Sequence, residues 1–163
     1  MASGDTLLIF TALHNEPPAS NYATLDVRNQ HPVLDFDAAT NESAVFSAIM
    51  PRNYGGNGIT VYLHYAMTSA TSGTVDWDAV FERIGDHQQD IDSDGFATAK
   101  SVDDTTVPGT SGLVDVVGIS FSDGSEIDNV AAGEGFRLKV ARDAVNDDAA
   151  GDAELLFVEL KET

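Results

Sequence analysis

The sequence contains no cysteine, which excludes a disulfide framework and thiolate metal sites and leaves the hydrophobic core to hold the fold unaided. Lysine is scarce as well. Lys100, Lys139 and Lys161 are the only lysines, and the eight basic residues face 27 acidic ones, for a formal charge of −19. Without a basic stripe interleaved with aromatics, so acidic a chain is repelled by phosphate, and nucleic acid is excluded as a partner. Long apolar runs are missing too: Leu7 to Phe10, continued through Thr11 to Leu13, is bounded by Asp5 and His14. It is too short for a membrane span and lacks the basic flank of a signal peptide. Sustained 3.6-residue periodicity is nearly absent, which removes helix bundles and α/β folds and leaves an all-β protein.

What is there is alternation of period two. Ile59, Val61, Leu63, Tyr65 and Met67 share one face of a strand, with Thr60, Tyr62, His64 and Ala66 on the other. Gly73 to Ile84 repeats the pattern with Val75, Trp77, Ala79 and Phe81, and the turn residues Ser69 to Gly73 between the two predict an antiparallel hairpin. Further strands are predicted at residues 6–13, 23–28, 33–37, 44–50, 113–121, 136–142 and 154–161, most of them separated by Gly, Pro, Asn or Asp clusters. Ser125 to Ala132 is expected to hold one helical turn, with Ile127 and Val130 three apart and Gly133 ending it. About nine short strands joined by connections of uneven length predict a two-sheet antiparallel sandwich of jelly-roll type, a single domain over residues 1–163. The acids are spread singly among these alternations and not gathered in blocks, which argues for a folded chain. Their density, with so little lysine, is the composition of a protein adapted to molar salt.

The most suggestive constellation is Asp90-Ile91-Asp92-Ser93-Asp94-Gly95, three carboxylates at alternate positions before a glycine, as in the opening half of a calcium loop. Its twelfth position is Ser101 and not a bidentate Glu, so an acidic loop without metal is the favoured reading; a calcium or sodium ion held by Asp90, Asp92 and Asp94 is the alternative. Asn146-Asp147-Asp148 and Asp152 form a second acidic loop. Asp76 with Asp78, and Asp35 with Asp37, have the spacing of paired carboxylates on one strand face. Their apolar alternates claim the core, so these acids are expected to point to solvent without catalysing anything. His14, His31, His64 and His87 lack zinc-ligand spacing. Ser111 does not complete a nucleophile elbow, and Gly55, Gly56 and Gly58 are not followed by the Lys-Ser/Thr of a phosphate loop. No catalytic residue and no cofactor are expected. Tyr54, Tyr62 or Trp77 could offer a sugar-stacking platform if exposed, with Trp77 expected in the core.

Residues Asp26 to Asp37, Phe46 to Tyr54 with Met50-Pro51-Arg52-Asn53-Tyr54, Phe136 to Asp143 and Gly151 to Leu155 together resemble small virion structural proteins of tailed viruses, over nearly the whole chain. The resemblance implies a jelly-roll protein on the capsid surface, a decoration or turret subunit, as a homotrimer or pentamer that contacts the major capsid protein. With the acidic composition it implies a virus of a halophilic archaeon. The alternative is a glycan- or receptor-binding β-sandwich module of a virion fibre or a cell-surface protein. Apolar residues on both faces, Val114 and Val116 in one strand and Leu156, Val158 and Leu160 in the last, predict a second buried surface and hence oligomerisation.

Overall fold

The alternating segments become ten strands in the computed structural model, which describes residues 4–163. They are β1 (Thr6–Thr11), β2 (Thr24–Arg28), β3 (His31–Phe36), β4 (Glu42–Ile49), β5 (Ile59–Met67), β6 (Thr74–Ile84), β7 (Lys100–Thr106), β8 (Asp115–Phe121), β9 (Gly135–Arg142) and β10 (Ala153–Glu162). All pair antiparallel, in two sheets. One runs β2-β3-β10-β5-β8 with β1 also on β10, and the other runs β4-β9-β6-β7. This is the two-sheet sandwich that the alternation predicts. The inward faces close one core: Ile59, Val61, Leu63 and Tyr65 from β5 meet Val75, Trp77, Ala79 and Phe81 from β6, all fully buried. Trp77 stands edge-on to Phe36 and Tyr65 at ring separations of 5.1 and 5.3 Å, the geometry that the aromatic quadrupole favours.

Four details depart from the sequence expectation. β5 and β6 are not a hairpin: β5 pairs with β10 and β8, whereas β6 pairs with β9 and β7, so the turn at 69–73 crosses from one sheet to the other. Each strand has one strongly apolar face, and setting the strands opposite one another across the core buries both. The crossing needs Gly73 at φ +93, where a Cβ would lie 2.8 Å from Asp148 Oδ1. In β10 a bulge between Leu155 and Phe157 shifts the phase of the strand. Val158 and Leu160 therefore join Leu155 in the core, while Phe157 turns out to solvent, 44% exposed.

β7 has Val102 as its one sizeable apolar residue that packs on the core, and so shows no alternation; it is an acidic edge strand, the kind that discourages pairing with another chain. The helical turn is shorter than expected, a 3₁₀ turn at Ser125–Ile127 that stops where Asp128 and Asn129 take φ near +56. Ile127 and Val130 still plug the core as the spacing requires.

The second acidic loop has a structural use. Arg142, with no exposed surface, donates to both carboxylate oxygens of Asp147 at 2.7 and 3.1 Å. It also donates to the carbonyls of Phe36, Gly151 and Ala149 at 3.3, 2.8 and 3.1 Å. A buried guanidinium satisfied in this way ties the β9–β10 connection to β3 and closes one end of the sandwich.

Candidate functional site

The outward face of the four-stranded sheet carries a groove. Along β9 the alternation puts Phe136, Leu138 and Val140 in the core and Arg137, Lys139 and Ala141 on the outer face. Lys139 lies between Val45 of β4 and Val80 of β6, both nearly fully covered. One wall is the segment before β2, sewn along the edge of β4 by backbone hydrogen bonds from Glu16 N–H to the Val45 carbonyl (2.8 Å), from Ala23 N–H to the Ser43 carbonyl (3.0 Å) and from Ser43 N–H to the Asn21 carbonyl (2.9 Å). Asn21 takes φ +50, a region that Asn tolerates better than most residues, to keep this strap in place.

The opposite wall comes from the β6–β7 connection. It folds back along β6, with Ala97 N–H donating to the Phe81 carbonyl at 2.9 Å, and lays Phe96 across the sheet. The ring sits 5.0 Å from the Arg137 guanidinium carbon and 4.7 Å from Lys139 Nζ. These are cation–π distances that fix the ring's tilt. Between the walls lies a space of about 380 Å³, with Ser20, Asn21, Ser43 and the carboxylate of Glu42 on one side, Phe96 on the other, and Arg137 and Lys139 in the floor. Arg137 is held by Glu82 at 2.9 Å. The groove thus joins one propped aromatic ring, hydroxyl and carboxamide groups, one carboxylate and two cations in a concave site, the combination that orients a small polar ligand.

The residues singled out from the sequence fall elsewhere. Asp90, Asp92 and Asp94 lie in an exposed turn of the β6–β7 connection, where Asp90 accepts backbone N–H from Asp92 through its carboxylate (3.1 Å) and from Ser93 and Asp94 through its carbonyl (2.9 and 2.8 Å). Among the described residues no three His, Asp or Glu side chains stand together so as to hold a metal ion. Trp77 is in the core. Tyr54 is 9% exposed and occupied internally, donating its hydroxyl to Asp123 at 2.9 Å and accepting Gly58 N–H at 3.2 Å. Burial and Asp123 push its ionisation well above the usual phenol range.

Tyr62 is half-exposed on the outer face of the six-stranded sheet. Its ring lies over Gly118, where a Cβ would come within 2.9 Å of the ring, and Lys161 Nζ is 5.9 Å from the ring centre. Ile9, Val116 and Phe157 on the same face are 59%, 49% and 44% exposed, an uncovered apolar strip.

The carboxylate pairs also separate. Asp76 is buried and not solvent-facing, because β7 bulges over it and Asp104 N–H donates to it at 2.7 Å; burial raises its pKa. Asp35 is half-buried opposite Glu154 in β10, and its pKa is raised to about 6, first by burial and then by Asp152, Glu154, Asp26 and Glu42. Asp37 is exposed and held below the usual carboxylate range by the N–H groups of Ala39 and Thr40. Phe96 escaped sequence reasoning. The available signal was an isolated large aromatic beside Gly95 in an otherwise polar connection, a residue with no strand partner to explain it.

No family model matches the sequence, and no curated protein matches it. Among solved structures the fold is similar to a family 35 carbohydrate-binding module from an environmental isolate, with a TM-score of 0.55, 11% identity and coverage of 96% of this chain and 94% of that one. It is similar to CBM35 from Cellvibrio japonicus Abf62, with a TM-score of 0.52, 10% identity and coverage of 96% and 94%. It also matches part of the arabinose-bound MgGH51 α-L-arabinofuranosidase, with a TM-score of 0.51, 11% identity and coverage of 91% of this chain but 23% of that one. At such identities the likeness is one of architecture: the chain folds as an antiparallel β-sandwich of the jelly-roll type that these carbohydrate-binding modules share.

Proposed function

We propose that the chain is a non-catalytic glycan-binding β-sandwich module whose ligand lies in the groove of the four-stranded sheet. The observation that carries this reading is Phe96, an aromatic ring propped on two cations at the wall of an open groove whose other wall carries hydroxyl and carboxamide groups with one carboxylate, Glu42. A sugar ring has apolar C–H faces and a hydroxyl rim, and such a groove meets both. The solved carbohydrate-binding modules of similar fold support the reading. A printed glycan array followed by isothermal titration calorimetry tests it. The wild type is expected to bind one glycan class, and Phe96→Ala to bind it roughly five- to tenfold more weakly, the loss of one stacked ring worth roughly 1–1.5 kcal/mol. Binding that is unchanged in Phe96→Ala overturns the groove as the site. Incubation of the bound glycan with the protein is expected to leave it uncleaved.

The capsid reading is supported by the sequence resemblance and by the uncovered strip at Ile9, Val116 and Phe157, which suits a subunit that packs on further copies of itself in a trimer or pentamer. A glycan groove on one sheet and a self-association face on the other are compatible in one decoration or turret subunit. Mass spectrometry of purified virions that lacked this chain would remove the capsid reading and leave the groove untouched.

A further inference from the structure

The cations of this protein are few enough to be followed one by one. Arg28 is held by Glu154, Arg83 by Glu134, Lys100 by Glu126, Arg137 by Glu82 and Arg142 by Asp147. Arg52, Lys139 and Lys161 are in no ion pair among the described residues. Arg52 lies in an exposed loop, and Lys161 is beside Tyr62 on the outer face of the other sheet. Lys139 alone of the three lines the groove. Its isolation has a cause in the strand register: its cross-strand neighbours are Val45 and Val80, and Phe96 covers it from the β6–β7 connection. In a chain with 27 acids, this ammonium is in no ion pair among the described residues, although Glu42 lines the same groove; with apolar neighbours on two sides and a ring on a third, its donors are open to an anion that enters the groove.

We infer that the groove selects a glycan carrying a negative charge, a uronate carboxylate or a sulfate ester, with Lys139 as the anchor of that group. This rests on the glycan-binding reading of the same groove. The net charge does not forbid it. At physiological ionic strength the Debye length is about 8 Å, so most of the distant carboxylates are screened while a contact with Lys139 is not. A charge-assisted hydrogen bond in a partly covered groove also exceeds a neutral one. Phe96 contributes to the same end, since its ring covers one side of Lys139 Nζ at 4.7 Å.

The test is a glycan array printed with neutral, uronate-bearing and sulfated glycans, probed with the wild type, Lys139→Gln and Lys139→Arg. The strongest uronate binder is then titrated beside its methyl ester, which keeps the sugar and masks the charge. The expected result is anionic hits, binding of the free acid roughly tenfold or more tighter than the ester, loss of that preference in Lys139→Gln, and its retention in Lys139→Arg. Lys139 is half-exposed on the outer face of β9, and equal melting temperatures for the three proteins check that the fold is intact. Hits confined to neutral glycans, or an acid-to-ester preference unchanged in Lys139→Gln, overturn the inference and leave the glycan-binding reading standing. An array with no hit at all overturns both.

Discussion

Replacing Asp35 by Asn is expected to stabilise this protein at neutral pH. Asp35 faces Glu154 across the β3–β10 ladder, with Asp152, Asp26 and Glu42 also acting on it; Glu154 is shared with Arg28. One of its carboxylate oxygens is buried without a hydrogen-bond partner among the described residues. Its pKa is raised from 3.8 to about 6, so between those values the folded state holds a proton that the unfolded state has released. Stability from this group therefore rises as pH falls from above 6 towards 3.8, and at pH 8 the charged form is a net cost. At about 1.4 kcal/mol for each tenfold change in proton affinity, the raised pKa sets an upper bound of about 3 kcal/mol. Asp35 is partly open to solvent and its neighbours are screened, so the expected gain at pH 8 is about 1–2 kcal/mol. That corresponds to a rise in melting temperature of about 2–8 °C for a domain of this size.

The assay is thermal unfolding of wild type and Asp35→Asn by circular dichroism from pH 4 to 8 at one fixed ionic strength. The gain should be full at pH 8 and fade towards pH 4, where the wild-type carboxyl is protonated in the folded state. Asp37→Asn is the control, since it removes the same charge from the same segment. Asp37 is held in its ionised form by two backbone N–H groups, so its pKa is lowered and its contribution is present above pH 3.8 and lost as pH falls below it. Asp37→Asn should therefore lose stability at pH 8. A gain at pH 8 in both variants would mean that net charge alone is being read, and no gain in Asp35→Asn would refute the burial argument.

Three further outcomes are expected. Asp147→Ala strips Arg142 of its buried partner and should cost about 3–5 kcal/mol, measured by urea unfolding, because the guanidinium is left charged and buried. Melting temperature should climb steeply from dilute buffer to molar sodium or potassium chloride as the Debye length shrinks from roughly 10 Å to 3 Å, whereas millimolar calcium at fixed ionic strength should shift it only if Asp90, Asp92 and Asp94 gather around an ion; a flat salt profile refutes the halophile reading of the composition. Light scattering at micromolar concentration in high salt should give a species larger than 17.2 kDa, and Phe157→Lys should return it to that mass; a monomer in the wild type refutes self-association through the six-stranded sheet.

The strands legible in the sequence were those whose alternation is enforced by burial on one face, such as β5 and β6. Their pairing was not legible, because two apolar faces can be buried side by side or across a core, and the turn at 69–73 permits either. β7 could not be read at all, since an acidic edge strand is stabilised by its ladder with β6 and not by its own side chains. The phase of β10 is not legible beyond Leu155: an unbroken alternation sets Phe157 beside Leu155 with Val158 and Leu160 on the opposite face, and the bulge reverses all three.

The side chains of the proposed site were hidden for a related reason. Phe96 lies about 40 residues from Arg137 and Lys139 in sequence, and the groove exists because the β6–β7 connection folds back over β9 to bring the ring within 5.0 Å of both cations. Lys139 looks in the sequence like one of three scattered solubilising charges. Its surroundings give it another character, because a lysine flanked by Val45 and Val80 and capped by a phenylalanine is in no ion pair among the described residues of a chain with 27 acids. Composition shows how rare such a cation is in this protein, and the strand register shows why it has no internal partner. An ammonium in no ion pair among the described residues, at the floor of a groove, is the group that the proposed anionic ligand would engage.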